Sequence, residues 1–171
     1  MRLRRKICLL GAPGVGKTSI VRRFVEKRFD EDYASSIPMA ISKGTLDLGD
    51  ISLDLMIWDP AGAEAWGQYN RSFISGASGL IFVVDATRSQ TLDHLFEAQT
   101  KGRGFIGSRP SVLLVNKSDL TGDFALNKAQ VAAAQERDWH ILQASAKSGE
   151  NVGEAFEKLS ELILEQRKAS A

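Results

Sequence analysis

At 171 residues, with 43% apolar and 25% charged side chains, the chain suits one globular domain with a substantial core and is short for two. Its 22 Lys and Arg against 21 Asp and Glu leave a formal net charge of +1, which excludes the strongly basic balance of a general nucleic-acid binder. No apolar run approaches a membrane span or a signal peptide, and a single cysteine excludes an intrachain disulfide.

The basic run Arg2, Arg4, Arg5 and Lys6 reads as a solvated entrance to a first strand, Lys6–Leu10, with Cys8 as a small core residue. Arg at the second position leaves no myristoylation site, and Arg-Lys-Ala-Ser-Ala at residues 167–171 offers no cysteine for prenylation. The expected setting is cytoplasmic, with no integral membrane segment. Residues 11–18 follow the strand as Gly-Ala-Pro-Gly-Val-Gly-Lys-Thr, the Gly-x-x-x-x-Gly-Lys-Thr phosphate-binding pattern in its required place. Glycines permit the tight turn, so the N–H groups of Pro13's successors Gly14, Val15, Gly16, Lys17, Thr18 and Ser19 can converge on one anion at a helix N-terminus. Lys17 can reach the outer phosphates, and the Thr18 hydroxyl can hold a Mg²⁺ bound to them. The blander alternative is a chance Gly-rich turn before a helix.

A helix is expected over Lys17–Lys27. Met39–Leu48 and Ile51–Trp58 then flank Gly49 and Asp50 with partial apolar alternation, which predicts a hairpin and an antiparallel sheet edge. A helical stretch around Trp66–Ser75 precedes the buried strand Gly79–Val84 and a helix over Thr91–Gln99. Strand Val112–Asn116, helix Asn127–Gln135, strand His140–Ser145 and helix Val152–Lys168 complete the order. Strands alternating with helices predict an α/β fold with a mostly parallel sheet. Val152, Phe156, Leu159 and Ile163 fall at helical spacing and read as core, as does Trp139 over the last strand.

Asn116, Lys117, Ser118 and Asp119 end the third buried run and choose the base. A carboxylate at Asp119 can accept from both N1–H and the exocyclic amine of guanine, whereas adenine would leave it unpaired. The stem of Lys117 can lie along the base, and Asn116 can tie this loop to the phosphate loop. Ser145, Ala146 and Lys147 end the next strand and could direct backbone N–H groups to the guanine oxygen. Ligands of open α/β sheets sit beyond the carboxyl ends of strands, where all these segments fall.

In this order the motifs resemble those of the Ras-like small GTPases over nearly the whole chain, residues 1–171 forming one G domain. The resemblance implies a six-stranded, mostly parallel sheet with one antiparallel edge strand and helices on both faces. Ile57-Trp58-Asp59-Pro60-Ala61-Gly62-Ala63-Glu64 looks most like the Rab branch, and Phe29 through Ile37 looks like a first switch segment. The matching positions imply that Phe29 packs against the guanine and that Tyr33 folds over the phosphates. They also imply that Ser36 ligates Mg²⁺ and meets the γ-phosphate with its N–H, that Gly62 supplies a second N–H there, and that Asp59 holds the metal through water. Lys17, Ser36 and Gly62 are thereby the residues implied for catalysis.

Three departures from the family pattern matter. Ser36 replaces the usual Thr, keeping the hydroxyl and losing a methyl. Pro13 replaces a glycine of the phosphate loop, which removes an N–H and adds bulk where a partner's arginine would pass. Ala63 replaces the usual water-positioning Gln, and Glu64 beside it has the wrong place and sign. Hydrolysis is therefore expected to be slow. Pro60 additionally biases Asp59 towards extended backbone.

Ile41, Trp58 and Phe73 match an apolar triad that Rab-like proteins present to partners, although plain edge-strand and helix packing accounts for them equally. Trp66 and Tyr69 would sit on the second switch. The leading expectation is a GTP/GDP switch acting on effectors and regulators through segments near 30–41 and 59–75. A GTP-binding scaffold with negligible hydrolysis is the second reading, and a P-loop kinase is a third that Asn116–Asp119 opposes.

Overall fold

Apart from one hairpin, strand and helix alternate along the chain, and every strand pairing outside that hairpin is parallel. The computed structural model describes residues 1–27, 39–60, 71–101, 107–120 and 126–169. Its elements are β1 (Arg2–Leu10), α1 (Lys17–Glu26), β2 (Met39–Leu48), β3 (Ile51–Pro60), α2 (Arg71–Ile74), β4 (Gly79–Asp85), α3 (Gln90–Lys101), β5 (Ser111–Asn116), a 3₁₀ turn (Ser118–Leu120), α4 (Lys128–Gln135), β6 (His140–Gln143) and α5 (Val152–Ala169). The 6-stranded sheet has the order β2-β3-β1-β4-β5-β6. Only the β2–β3 pair is antiparallel, with Leu48 opposite Ile51 across the Gly49-Asp50 turn. This is the mixed α/β sheet with one antiparallel edge that the sequence predicts.

Alternation along β1 divides the core in two. Ile7 and Leu9 face α1 and α5, in a cluster with Ile20, Phe24, Val152, Phe156, Leu159 and Ile163. Phe24 and Phe156 stack at 3.9 Å between ring centres. Cys8 and Leu10 face the other layer with Ile74, Phe82, Leu92 and Leu95. Trp139 closes that layer, 4.3 Å from Phe82 and 5.7 Å from Phe96. Burial pushes the Cys8 thiol up to about 12, so this cysteine acts as packing.

Several boundaries differ from the expected ones for identifiable reasons. β1 begins at Arg2 rather than Lys6, because its polar half pairs with β3 alone, from Arg2 opposite Ser52 onwards. The basic run is partnered as well as solvated. Arg2 forks onto Asp54 with two 3.0 Å bonds, and Lys6 Nζ donates to the carbonyls of Phe73 and Ser75 at 2.7 and 2.9 Å. Hydrogen bonding from Arg2 holds the Asp54 carboxyl down to about 2. β6 ends at Gln143 rather than Ser145, since the following residues leave the sheet to build a loop. Asn127 caps α4 rather than joining it: its side chain accepts from Gln130 N at 2.9 Å, and Gln130 returns the bond at 3.2 Å. Within the expected helix around Trp66–Ser75, the described helical part is Arg71–Ile74; residues 61–70 lie outside the described residues.

Candidate nucleotide-binding site

β1 delivers the chain to the loop Gly11–Gly16, and α1 leaves it at Lys17. Two glycines fix the loop's path. A Cβ on Gly11 would lie 2.3 Å from the Val83 carbonyl oxygen of β4. Gly16, at φ 100°, takes the left-handed conformation, and a Cβ there would lie 2.3 Å from Asn116 Nδ2. Gly16 is also the N-cap of α1, and no side chain caps that helix start. The loop's N–H groups and the positive end of a ten-residue helix therefore share one concavity.

Asn116 joins two loops, as its place in the sequence suggests. Its Nδ2 donates to the Val15 carbonyl at 2.9 Å, and its Oδ1 accepts from Ala146 N at 3.1 Å. The Ala146 N–H, one of those expected near a guanine oxygen, thus points to Asn116 here. Ser145, wholly buried, donates from Oγ to Asp119 Oδ1 at 2.6 Å and accepts from Ser148 N at 3.0 Å. Asp119 itself lies exposed on the 3₁₀ turn, its carboxylate oriented by that hydroxyl. Lys117, at φ 67°, crosses to the phosphate loop and donates to the Gly14 carbonyl at 2.9 Å.

On the other side of the loop, Thr18 Oγ1 donates to Asp59 Oδ2 at 2.6 Å. Asp59 is the penultimate residue of β3, directly before Pro60, in the extended geometry that proline favours. Its second oxygen, Oδ1, is buried without a hydrogen-bond partner among the described residues. Burial pushes the Asp59 carboxyl above its usual range and lowers the Lys17 ammonium to about 8. Lys17 Nζ donates to the carbonyls of Gly11 and Ala12 at 2.9 and 3.1 Å. A hydroxyl and an under-satisfied carboxylate are hard oxygen donors that fit Mg²⁺. Among the described residues no cluster of three or more His, Cys, Asp or Glu could hold a metal.

Phe29, Tyr33, Ser36, Gly62, Ala63, Glu64, Trp66 and Tyr69 lie outside the described residues. The three residues of the apolar triad are brought together: Ile41 pairs across the hairpin with Trp58, and Trp58 meets Phe73 edge-on at 6.2 Å. Ile41 is 52% exposed, while Trp58 and Phe73 are partly buried against the core. Lys6 Nζ lies 3.7 Å from the centre of a Trp58 ring.

Three residues around the site carry no motif. Arg23 of α1 donates to the carbonyls of Ala146 and Lys147, fixing the loop after β6. Asp85 ends β4 with its side chain 1% exposed and accepts from Lys117 Nζ at 2.7 Å, Arg88 Nε at 3.0 Å, Thr87 N at 2.9 Å and Thr87 Oγ1 at 2.6 Å. Arg88 reaches on to the Pro13 carbonyl at 3.1 Å. Of the three, Asp85 had a signal: it is a carboxylate at the carboxyl end of a parallel strand.

Burial alone would raise the Asp85 carboxyl, but the bonds from Lys117, Thr87 and Arg88 outweigh it and hold it down to about 2. A depressed folded value means stability that is present above the unfolded value near 3.8 and lost as pH falls through about 2. Thermal unfolding between these limits should therefore show the advantage of wild type over Asp85→Asn shrinking with acid. A constant difference across that window would show that the carboxylate charge contributes nothing.

Residues 6–165 match the Ras family. The chain is 33% identical over 162 residues to the mouse Ras-related protein Rab-4A, covering 93% of this chain and 74% of that protein. It is 32% identical over 161 residues to human Rab-4B, covering 93% and 76%. Human Rab-7b is 34% identical over 167 residues, with 93% and 82% covered.

Proposed function

The chain belongs to the Ras family of small GTPases, with the pattern of its Rab branch, and we propose that it is a Mg²⁺-dependent GTP/GDP switch with slow intrinsic hydrolysis, formed by residues 1–171 as one G domain. The observation that carries this reading is the position of Asn116. One buried side chain ties the phosphate loop at Val15 to the base-side loop at Ala146, beside the Asp119 carboxylate. In this reading phosphate and base recognition belong to two loops joined through Asn116.

In this reading Asp119 accepts from guanine N1–H and its amine, Lys117 and Phe29 flank the base, and the loop after β6 faces the guanine oxygen. The N–H groups of Gly14 to Ser19 and the Lys17 ammonium receive the phosphates. Thr18, Ser36 and Asp59 would hold Mg²⁺, which when bound neutralises charge on the phosphate oxygens. Tyr33 covers the phosphates, and the N–H groups of Ser36 and Gly62 meet the γ-phosphate, so that losing it releases both segments. Ala63 presents a methyl where a polar group would orient the attacking water, which keeps turnover slow.

Effectors and regulators are expected on the surface of Ile41, Trp58 and Phe73, because it adjoins both segments and Ile41 presents an exposed apolar side chain. No helix among the described residues is long and apolar enough to cross a membrane. A scaffold that binds GTP and scarcely hydrolyses it is the second reading, favoured by Ala63 and Pro13 together. Amide hydrogen exchange separates a switch from a scaffold with a static surface. Protein loaded with GDP or a non-hydrolysable GTP analogue should differ in protection over residues 30–41 and 59–75, and not along α5. Identical exchange in both states over those segments would contradict switching.

A further inference from the structure

We propose that Arg88 is a positioning residue of the phosphate loop, one of two arms by which the buried Asp85 carboxylate aims the loop's N–H groups. The proposal rests on the nucleotide reading above and extends it to a residue outside every recognised motif. Each arm is a cation with two bonds. Lys117 joins Asp85 Oδ2 to the Gly14 carbonyl, at 2.7 and 2.9 Å. Arg88 joins Asp85 Oδ2 to the Pro13 carbonyl, at 3.0 and 3.1 Å, using two separate nitrogens of one planar guanidinium.

Pro13 and Gly14 are consecutive, so the two arms grip successive peptide planes. A peptide unit is planar and trans, so drawing its carbonyl one way sends the N–H of the next residue the other way. Holding the Pro13 carbonyl towards Arg88 sets the direction of Gly14 N–H, and holding the Gly14 carbonyl towards Lys117 sets that of Val15 N–H. The second arm matters in this chain because Pro13 has no N–H of its own to give. Val15 N–H has only a long 3.4 Å contact within the loop, to the Ala12 carbonyl, so it too depends on being aimed. Asp85 anchors both arms well, being buried and bonded to Thr87 through its other oxygen.

These N–H groups face the β- and γ-phosphates, so the effect of Arg88 should appear in the phosphates and not in the base. In stopped-flow release of a fluorescent GDP with Mg²⁺ present, Arg88→Leu should accelerate dissociation roughly tenfold, the scale of one charge-assisted hydrogen bond. Competition with GMP, which lacks those phosphates, should be unchanged, so the preference for GDP over GMP falls. Arg88→Lys should recover part of the loss, since one ammonium nitrogen replaces two placed donors. Arg88 is 41% exposed, and because Lys117 and Thr87 still bond Asp85, nucleotide-free melting temperatures of the variants should fall by only about a few degrees. Release of GDP from Arg88→Leu at the wild-type rate would overturn the proposal. So would full recovery by Arg88→Lys, which would make charge alone responsible, or an equal loss of GDP and GMP. Wild-type protein that failed to retain GDP at all would instead remove the nucleotide reading on which the proposal stands.

Discussion

Asp119→Asn should cost this protein most of its affinity for GDP and turn its preference towards xanthine nucleotides. The substitution exchanges a charged double acceptor for an amide with one acceptor and one donor. Two charge-assisted hydrogen bonds at about 1.5–3 kcal/mol each put the loss at roughly 10²–10⁴-fold. Xanthine carries an oxo group where guanine carries its amine, so the new donor finds an acceptor and XDP should gain as GDP loses. The scaffold should survive the change, because the Ser145 hydroxyl that orients Asp119 can donate to an amide oxygen as well as to a carboxylate. Titrations of the folded variant with GDP and XDP measure both arms. Unchanged GDP affinity would remove Asp119 from the base contact.

Ala63→Gln should accelerate single-turnover GTP hydrolysis on the order of 10²-fold, the lower end of what a positioned polar group contributes. The native methyl has no atom with which to orient water, while the backbone N–H groups and Lys17 remain in place to bind the phosphates. The change should act on the chemical step and leave GDP affinity near wild type. An activator supplying an arginine could achieve more, about 10³–10⁵-fold, provided Pro13 leaves it room. Wild-type protein that matches the Gln variant in the absence of any activator would mean that another residue already places the water, and that slow turnover is the wrong expectation.

The two central parallel strands β4 and β5 were legible in the sequence because they are covered on both faces. β4 and β5 are buried at every position and read as continuous apolar runs. The polar half of β1 was not legible. It is held by Asp54, a partner 52 residues from Arg2 that no local pattern announces. The same division runs through the site. Gly16, Lys17, Thr18, Asn116 and Asp119 stand in short motifs whose spacing carries their chemistry. Arg23 and Arg88 act on carbonyls 123 and 75 residues away, so only the folded sheet reveals them. The N–H of Ala146 shows a subtler gap: a motif places the residue, but the direction of its donor depends on Asn116.

The central claim, a site built for guanine nucleotides, is tested most directly on the unmodified protein by competition for a fluorescent GDP in Mg²⁺. GDP and GTP should displace the probe at concentrations about 10⁴-fold or more below those needed of ADP and ATP, as expected where a placed polar pair would be left unmatched by the wrong base. Displacement by ADP and ATP at the same concentrations as their guanine counterparts would contradict the account.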